Sequence, residues 1–148
     1  MTIRELYEKL MCYPRAMRLN PPASEKQLRG FEEEFHTELP DQFRELLECF
    51  DGGEIFVPGT VIYGVGGQGS ESLAAFNRGL ARRDFSIPPQ YLLFAELNFG
   101  DFLCIDLTGE HSVIQWDHET NEEYDEWESL SQWLEETIED YAEYAGEE

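Results

Sequence analysis

Basic residues vanish from this chain after Arg83. The sequence holds 10 lysines and arginines against 32 acids, and none of the 10 lies in residues 84–148. Cysteine is almost as sparse: Cys12, Cys49 and Cys104 stand far apart. An odd number at such separations builds neither a disulfide framework nor a CxxC metal site, so reduced, buried thiols are expected. Long apolar runs are missing too. The longest, Tyr91-Leu92-Leu93-Phe94-Ala95, falls far short of the roughly 20 residues that cross a bilayer. The start, Met1-Thr2-Ile3-Arg4-Glu5, lacks the apolar stretch of a signal peptide, and a soluble, cytoplasmic protein without membrane contact is expected.

What is present is apolar enough to fold. Hydrophobic residues make up 41% of the 148 and aromatics 14%, which argues against general disorder and for one domain. Charge is divided unevenly. Residues 1–83 carry 13 acids and 10 bases, while residues 84–148 carry 19 acids and no base, together giving the net −22. Such a field repels phosphate backbones and anionic lipid and speeds encounter with a basic protein. Nucleic-acid binding is therefore excluded as an expectation, and a basic protein partner is favoured.

The pattern along the chain shifts from helical to β and back. Thr2 with Glu5 has capping-box form before Ile3, Leu6, Tyr7 and Leu10. Ser24 with Gln27 repeats that form before Leu28, Phe31 and Phe35. Leu39-Pro40 opens a third helix carrying Phe43, Leu46, Leu47 and Phe50, with Gly52-Gly53 as its expected left-handed cap. Ile55–Val57 and Thr60–Tyr63 flank Pro58-Gly59 as a strand pair, and Ser70 to Leu80 suits a helix. Tyr91–Glu96, Phe102–Leu107 and Val113–Asp117 read as strands, and Glu123–Trp127 as a charged edge strand. Leu130, Trp133, Leu134, Ile138 and Tyr141 mark a last helix that frays from Ala142. The expected fold class is α+β: a single domain, with a mixed, mostly antiparallel sheet of about five to six strands against N-terminal and C-terminal helices. Residues 1–22 form an N-terminal helix and proline-containing connection, and 142–148 an acidic tail.

Two motifs suggest ligands. Gly64-Val65-Gly66-Gly67-Gln68-Gly69 matches GxGxxG between a strand and a helix, so a nucleotide-binding enzyme is the alternative reading; against it, no βαβαβ series follows. Asp117 to Glu128 places oxygen ligands as an EF-hand loop does. Glu122, however, occupies the position where the bend calls for glycine, and the entering segment is a strand. No metal site is expected. His36, His111 and His118, three thiols and many solvated carboxylates form no triad or zinc set, so no catalytic residue is assigned.

Taken together, Leu39-Pro40, Leu47-Glu48-Cys49-Phe50-Asp51-Gly52-Gly53, Asn98-Phe99-Gly100-Asp101 with Asp106, Val113-Ile114-Gln115-Trp116-Asp117-His118-Glu119 and Leu130-Ser131-Gln132-Trp133-Leu134 have a familiar order. From about Ser24 to Tyr141 the chain resembles the SUKH superfamily, Smi/Knr-type. The resemblance implies one α+β domain that binds proteins and carries over no catalytic residue and no cofactor. Bacterial members are immunity proteins that neutralise a cognate secreted toxin, often a nuclease or deaminase. Fungal members regulate cell-wall synthesis through protein contacts. On this chain the expected partner surface is an open acidic sheet face comprising Asp101, Phe102, Asp106, Gln115, Asp117 and Glu119.

Overall fold

Local capping starts the first two helices as the sequence indicates. In the computed structural model, which describes residues 1–66 and 72–146, the Thr2 hydroxyl accepts from the Glu5 N–H at 3.1 Å and Glu5 returns the bond to the Thr2 N–H. The resulting α1 (Ile3–Leu10) buries Ile3, Leu6 and Leu10. Ser24 and Gln27 form the same reciprocal cap on α2 (Glu25–Phe35), which buries Leu28 and Phe31. Pro40 lies at the N-cap of α3 (Asp41–Cys49), just before the first turn, and the Arg44 N–H closes that turn on the Pro40 carbonyl.

The end of α3 departs from expectation. Phe50 follows in extended conformation because the core takes its ring, which stacks on Tyr7 at 5.8 Å between centroids. The positive φ values of Gly52 and Gly53, +76° and +129°, serve the entry into the sheet and not a helix cap. A Cβ at Gly53 would lie 2.4 Å from the Arg18 carbonyl on the adjoining strand, so the close backbone approach requires glycine.

That adjoining strand, β1 (Met17–Leu19), lies within the segment expected to be only a connection. It pairs antiparallel with β2 (Gly53–Ile55). The sheet continues in strict chain order through β3 (Thr60–Ile62), β4 (Tyr91–Glu96), β5 (Phe102–Asp106), β6 (Val113–Asp117) and β7 (Glu122–Trp127). All seven strands pair antiparallel, one or two more strands than the pattern indicated. Between β3 and β4 the expected helix, whose first residues Ser70 and Glu71 lie outside the described residues, breaks at Gly79 into α4 (Leu73–Arg78) and α5 (Leu80–Asp84).

Both faces of the central strands are covered. Leu92, Phe94, Leu103, Ile105 and Val113 join Phe43, Leu46 and Leu134 in a core beneath α1, α2, α3 and the last helix, α6 (Leu130–Gly146). Tyr91, Leu93, Phe102, Cys104, Ile114 and Trp116 form a second core with Phe76 of α4 and Ile87. The unbroken apolar run in β4 has this cause: a strand buried on both sides needs no polar alternation. The open acidic face expected on β5 and β6 is thus absent, since α4, α5 and the segment after them lie over it.

Asn77 of α4 fastens that second layer. Its amide donates to the Leu93 carbonyl at 2.8 Å and accepts from the Leu93 N–H at 2.9 Å, beside the register shift in β4. Arg82 adds bonds to Asn77 and to the Pro88 and Tyr91 carbonyls, and its burial lowers its pKa. Cys104 lies within this layer, its thiol pushed up to about 12 by burial, and Cys49 is buried as well. Cys12, expected inside, is exposed.

The terminal helix runs to Gly146, past the expected fraying point at Ala142. Tyr141 stacks on Phe56 at 4.2 Å and meets Tyr13 edge-on at 5.1 Å, holding the last turns to the N-terminal segment. Trp133 anchors the same helix, 3% exposed and T-shaped against Phe94 at 5.8 Å. Truncating it leaves a cavity, so Trp133→Ala is expected to cost about 3–5 kcal/mol, measured by urea unfolding. A neutral midpoint would contradict this packing.

Candidate functional site

The first amides of the glycine-rich segment are bound by the protein's own carboxylate. Asp51, buried just after α3, accepts the Val65 N–H on Oδ1 and the Gly66 N–H on Oδ2, both at 2.7 Å. Those are amides that the nucleotide reading reserves for phosphate. A Cβ on Gly66 would stand 2.6 Å from Asp51 Oδ2 and 2.6 Å from Gln27 Nε2, so glycine there serves the approach of Asp51. Gly67, Gln68 and Gly69 lie outside the described residues. Asp51→Ala leaves two amides without their anion and is expected to cost about 2–3 kcal/mol by urea denaturation, with Asp51→Asn losing less.

The six residues expected to form one acidic face do not share a surface. Direct pairing of Phe102 with Trp116 and of Leu103 with Gln115 places Phe102 and Gln115 on opposite sides of the sheet. Asp101, Phe102 and Gln115 are 4%, 6% and 9% exposed, which removes them from any open face. Asp106 is half-buried, its Oδ1 accepting from the Thr108 N–H and hydroxyl at 2.9 and 2.6 Å. Asp117, also half-buried, accepts the Glu119 and Thr120 N–H groups at 2.8 and 3.2 Å, and Glu119 alone of the six is exposed. The hairpin of β6 and β7 around this turn also excludes the helix–loop–helix frame of an EF-hand.

Asp101 joins two turns. Its own carbonyl accepts the Leu97 N–H at 2.8 Å, closing the turn that joins β4 to β5, in which Gly100 has φ +105° beside the His118 ring. Its Oδ1 accepts the His118 N–H at 3.0 Å and lies 2.6 Å from His118 Nδ1, while Oδ2 accepts Gln115 Nε2 at 2.8 Å. The hydrogen bond to Asp101 raises the His118 pKa above the ordinary histidine value, against a smaller opposing effect of burial. Burial pushes the Asp101 carboxyl up, but the bonds from Gln115 and His118 outweigh it and hold the pKa below the usual aspartate value.

Among the described residues, Asp101, Asp117 and His118 could together hold a metal, their ligand atoms lying within 4.8 Å of one another. Both Asp101 oxygens and Asp117 Oδ1 are already engaged in hydrogen bonds. The group acts as a clamp between turns, and its charge gives a pH signature. Because the His118 pKa is raised on folding, its stabilisation is complete below about pH 6.5 and is lost as pH rises through the folded value. Because the Asp101 pKa is depressed, its share is present above about pH 3.9 and disappears as pH falls through the folded value. The melting-temperature gap between wild type and His118→Gln is therefore expected to be widest between these limits and to narrow at pH 9. A gap constant with pH would contradict the ion pair.

The exposed acids gather elsewhere. Glu122, Glu123, Asp125 and Glu126 on β7 are all exposed, as are Glu136, Glu139, Asp140 and Glu143 on α6. Trp127 Nε1 donates to Glu136 at 2.7 Å and the Glu128 N–H to Gln132 at 2.7 Å, joining strand and helix into one surface. Among the described residues, the arginine ion pairs use glutamates of α2: Arg29 and Arg44 with Glu25, Arg44 with Glu32, and Arg78 with Glu34. The acids of β7 and α6 face solvent without a lysine or arginine anywhere in their half of the chain. The 19 acids are plain in the sequence, but the expected face was drawn on β5 and β6, where Asp101, Phe102 and Gln115 are buried.

A seven-stranded antiparallel meander with helices on both faces, and an acidic edge strand, defines a single-domain α+β protein. The SMI1 / KNR4 family (SUKH-1) model matches residues 22–136, and the chain belongs to that family. Among solved structures, a protein from Pseudomonas syringae pv. tomato is similar at 20% identity, with a TM-score of 0.68 over 89% of this chain and 95% of that one; the likeness is one of fold. No curated protein matches.

Proposed function

We propose that this protein is a non-catalytic binding module acting as an immunity protein, which associates with a basic toxin domain of the nuclease or deaminase type and blocks it. The observation that carries this reading is the set of exposed acids on β7 and α6, joined where Trp127 bonds Glu136, in a half of the chain with no lysine or arginine. Nucleases and deaminases acting on nucleic acid present cationic substrate clefts, and an acidic surface both steers toward such a cleft and competes with the phosphates that belong there. Family membership supports a protein-binding role. The self-occupied amides of Val65 and Gly66 leave the nucleotide-enzyme alternative without its principal support.

The test is co-expression with the toxin domain encoded beside this gene, followed by association kinetics at two ionic strengths. Wild type is expected to restore growth. The Glu126→Lys, Glu139→Lys double variant, altering two exposed positions, is expected to slow association by about tenfold at low salt and much less at high salt. A folded double variant that associates and protects as wild type does would overturn the electrostatic reading, and a neighbouring product that is neither toxic nor bound would overturn the immunity role.

A further inference from the structure

The sheet has two edges, and they differ. β1 has three residues, carries Arg18, and is flanked by Pro14 on one side and Pro21-Pro22 on the other. Short length and nearby prolines close an edge to further pairing. β7 has six residues, Glu122–Trp127, pairs only with β6, contains no proline, and is exposed over its first five residues. No described element pairs with its outer side. An edge of this length offers a row of backbone donors and acceptors to an added strand.

The occupant is specified by charge. A strand laid along β7 brings its side chains beside Glu122, Glu123, Asp125 and Glu126 on alternating faces, where opposite charges directly across stabilise and like charges repel. A second copy of this edge would set acid against acid, so self-pairing is disfavoured. An extended segment with lysine or arginine on both faces is complementary at each of those positions. Tyr124 adds a preference. The ladder passes from Glu123 opposite Trp116 to Asp125 opposite Gln115, so Tyr124 is an inserted residue without a partner on β6. Tyr124 is 68% exposed, and its ring is available for the planar guanidinium of an arginine. The Glu126 N–H is held by the Asp125 carboxylate at 2.8 Å, a local contact that an incoming carbonyl can replace.

We infer that β7 is a strand-addition site for an extended, arginine-rich segment of the partner, which completes the sheet as an eighth strand. The inference rests on the basic-partner reading above and adds its geometry: main-chain pairing supplies affinity, and the alternating acids select a basic sequence. Recognition then depends on backbone groups as well as on charge.

The probe is a short peptide of alternating arginine and threonine, compared with the same peptide N-methylated at alternate residues, which keeps the charge but cannot form the ladder. Binding is read by fluorescence anisotropy and by amide exchange in Glu122–Trp127. The unmodified peptide is expected to slow exchange in that strand, and methylation to weaken binding by about tenfold, the worth of one or two backbone hydrogen bonds. Tyr124→Pro, at the position outside the β6 ladder, is expected to weaken peptide binding while circular dichroism stays unchanged. Equal binding of both peptides, no binding of either, or binding without protection of β7 would each overturn the inference. If the neighbouring toxin is bound and neutralised while the β7 amides stay unprotected, strand addition fails and the immunity role stands. If the peptide pairs with β7 but the toxin is not bound, the reverse holds.

Discussion

Burial of the middle strands on both faces is the constraint from which the rest of the structure follows. Phe94 and Leu103 point into the core beneath the main helices, while Leu93 and Cys104 point into the layer beneath α4. Backbone and side-chain polarity in that region must therefore be satisfied internally, and it is: Asn77 bridges both main-chain groups of Leu93, and Arg82 reaches the carbonyls around it. A strand with two dry faces has no room for unpaired charge. The acids of the C-terminal half are accordingly displaced to the turns, to the edge strand and to the outer side of the last helix.

That displacement separates the acids by task. Asp51, Asp101, Asp106 and Asp117 each accept hydrogen bonds and hold the chain in shape. Asp51 holds the Val65 and Gly66 amides, Asp101 joins two turns, and Asp106 and Asp117 hold turns of their own. The glutamates of β7 and α6 make few such bonds, Glu123 and Glu136 being tied to Tyr91 and Trp127. The others are left to generate a field. The four aspartates thus serve structure where they are buried or half-buried, and most of the exposed acids of β7 and α6 serve electrostatics.

Much of the architecture was legible in the sequence because it is local. The capping boxes at Thr2 and Ser24 name two helix starts to the residue, and the apolar stripe from Leu130 to Ile138 names the last helix. Strands β4, β5 and β6 stand out as β-rich runs between turn residues. Less legible was anything that depends on what lies opposite. Three residues of β1 form a strand only because Gly53 to Ile55 pass alongside them. Phe50 ends α3 in extended form because the core claims its ring.

The candidate surface shows the same division. Composition and order along the chain determined that this is an α+β domain of one family, and that its second half is acidic throughout. Only the tertiary structure decided which acids are free. Alternation in β5 and β6 is compatible with one face open or with both covered. The choice was made by Phe76 and Ile87, distant in sequence from those strands, which pack over Phe102 and Ile114 and leave the edge at β7 as the acidic strand open to solvent. Periodicity carries the direction of a side chain, whereas exposure depends on long-range packing that no local pattern contains.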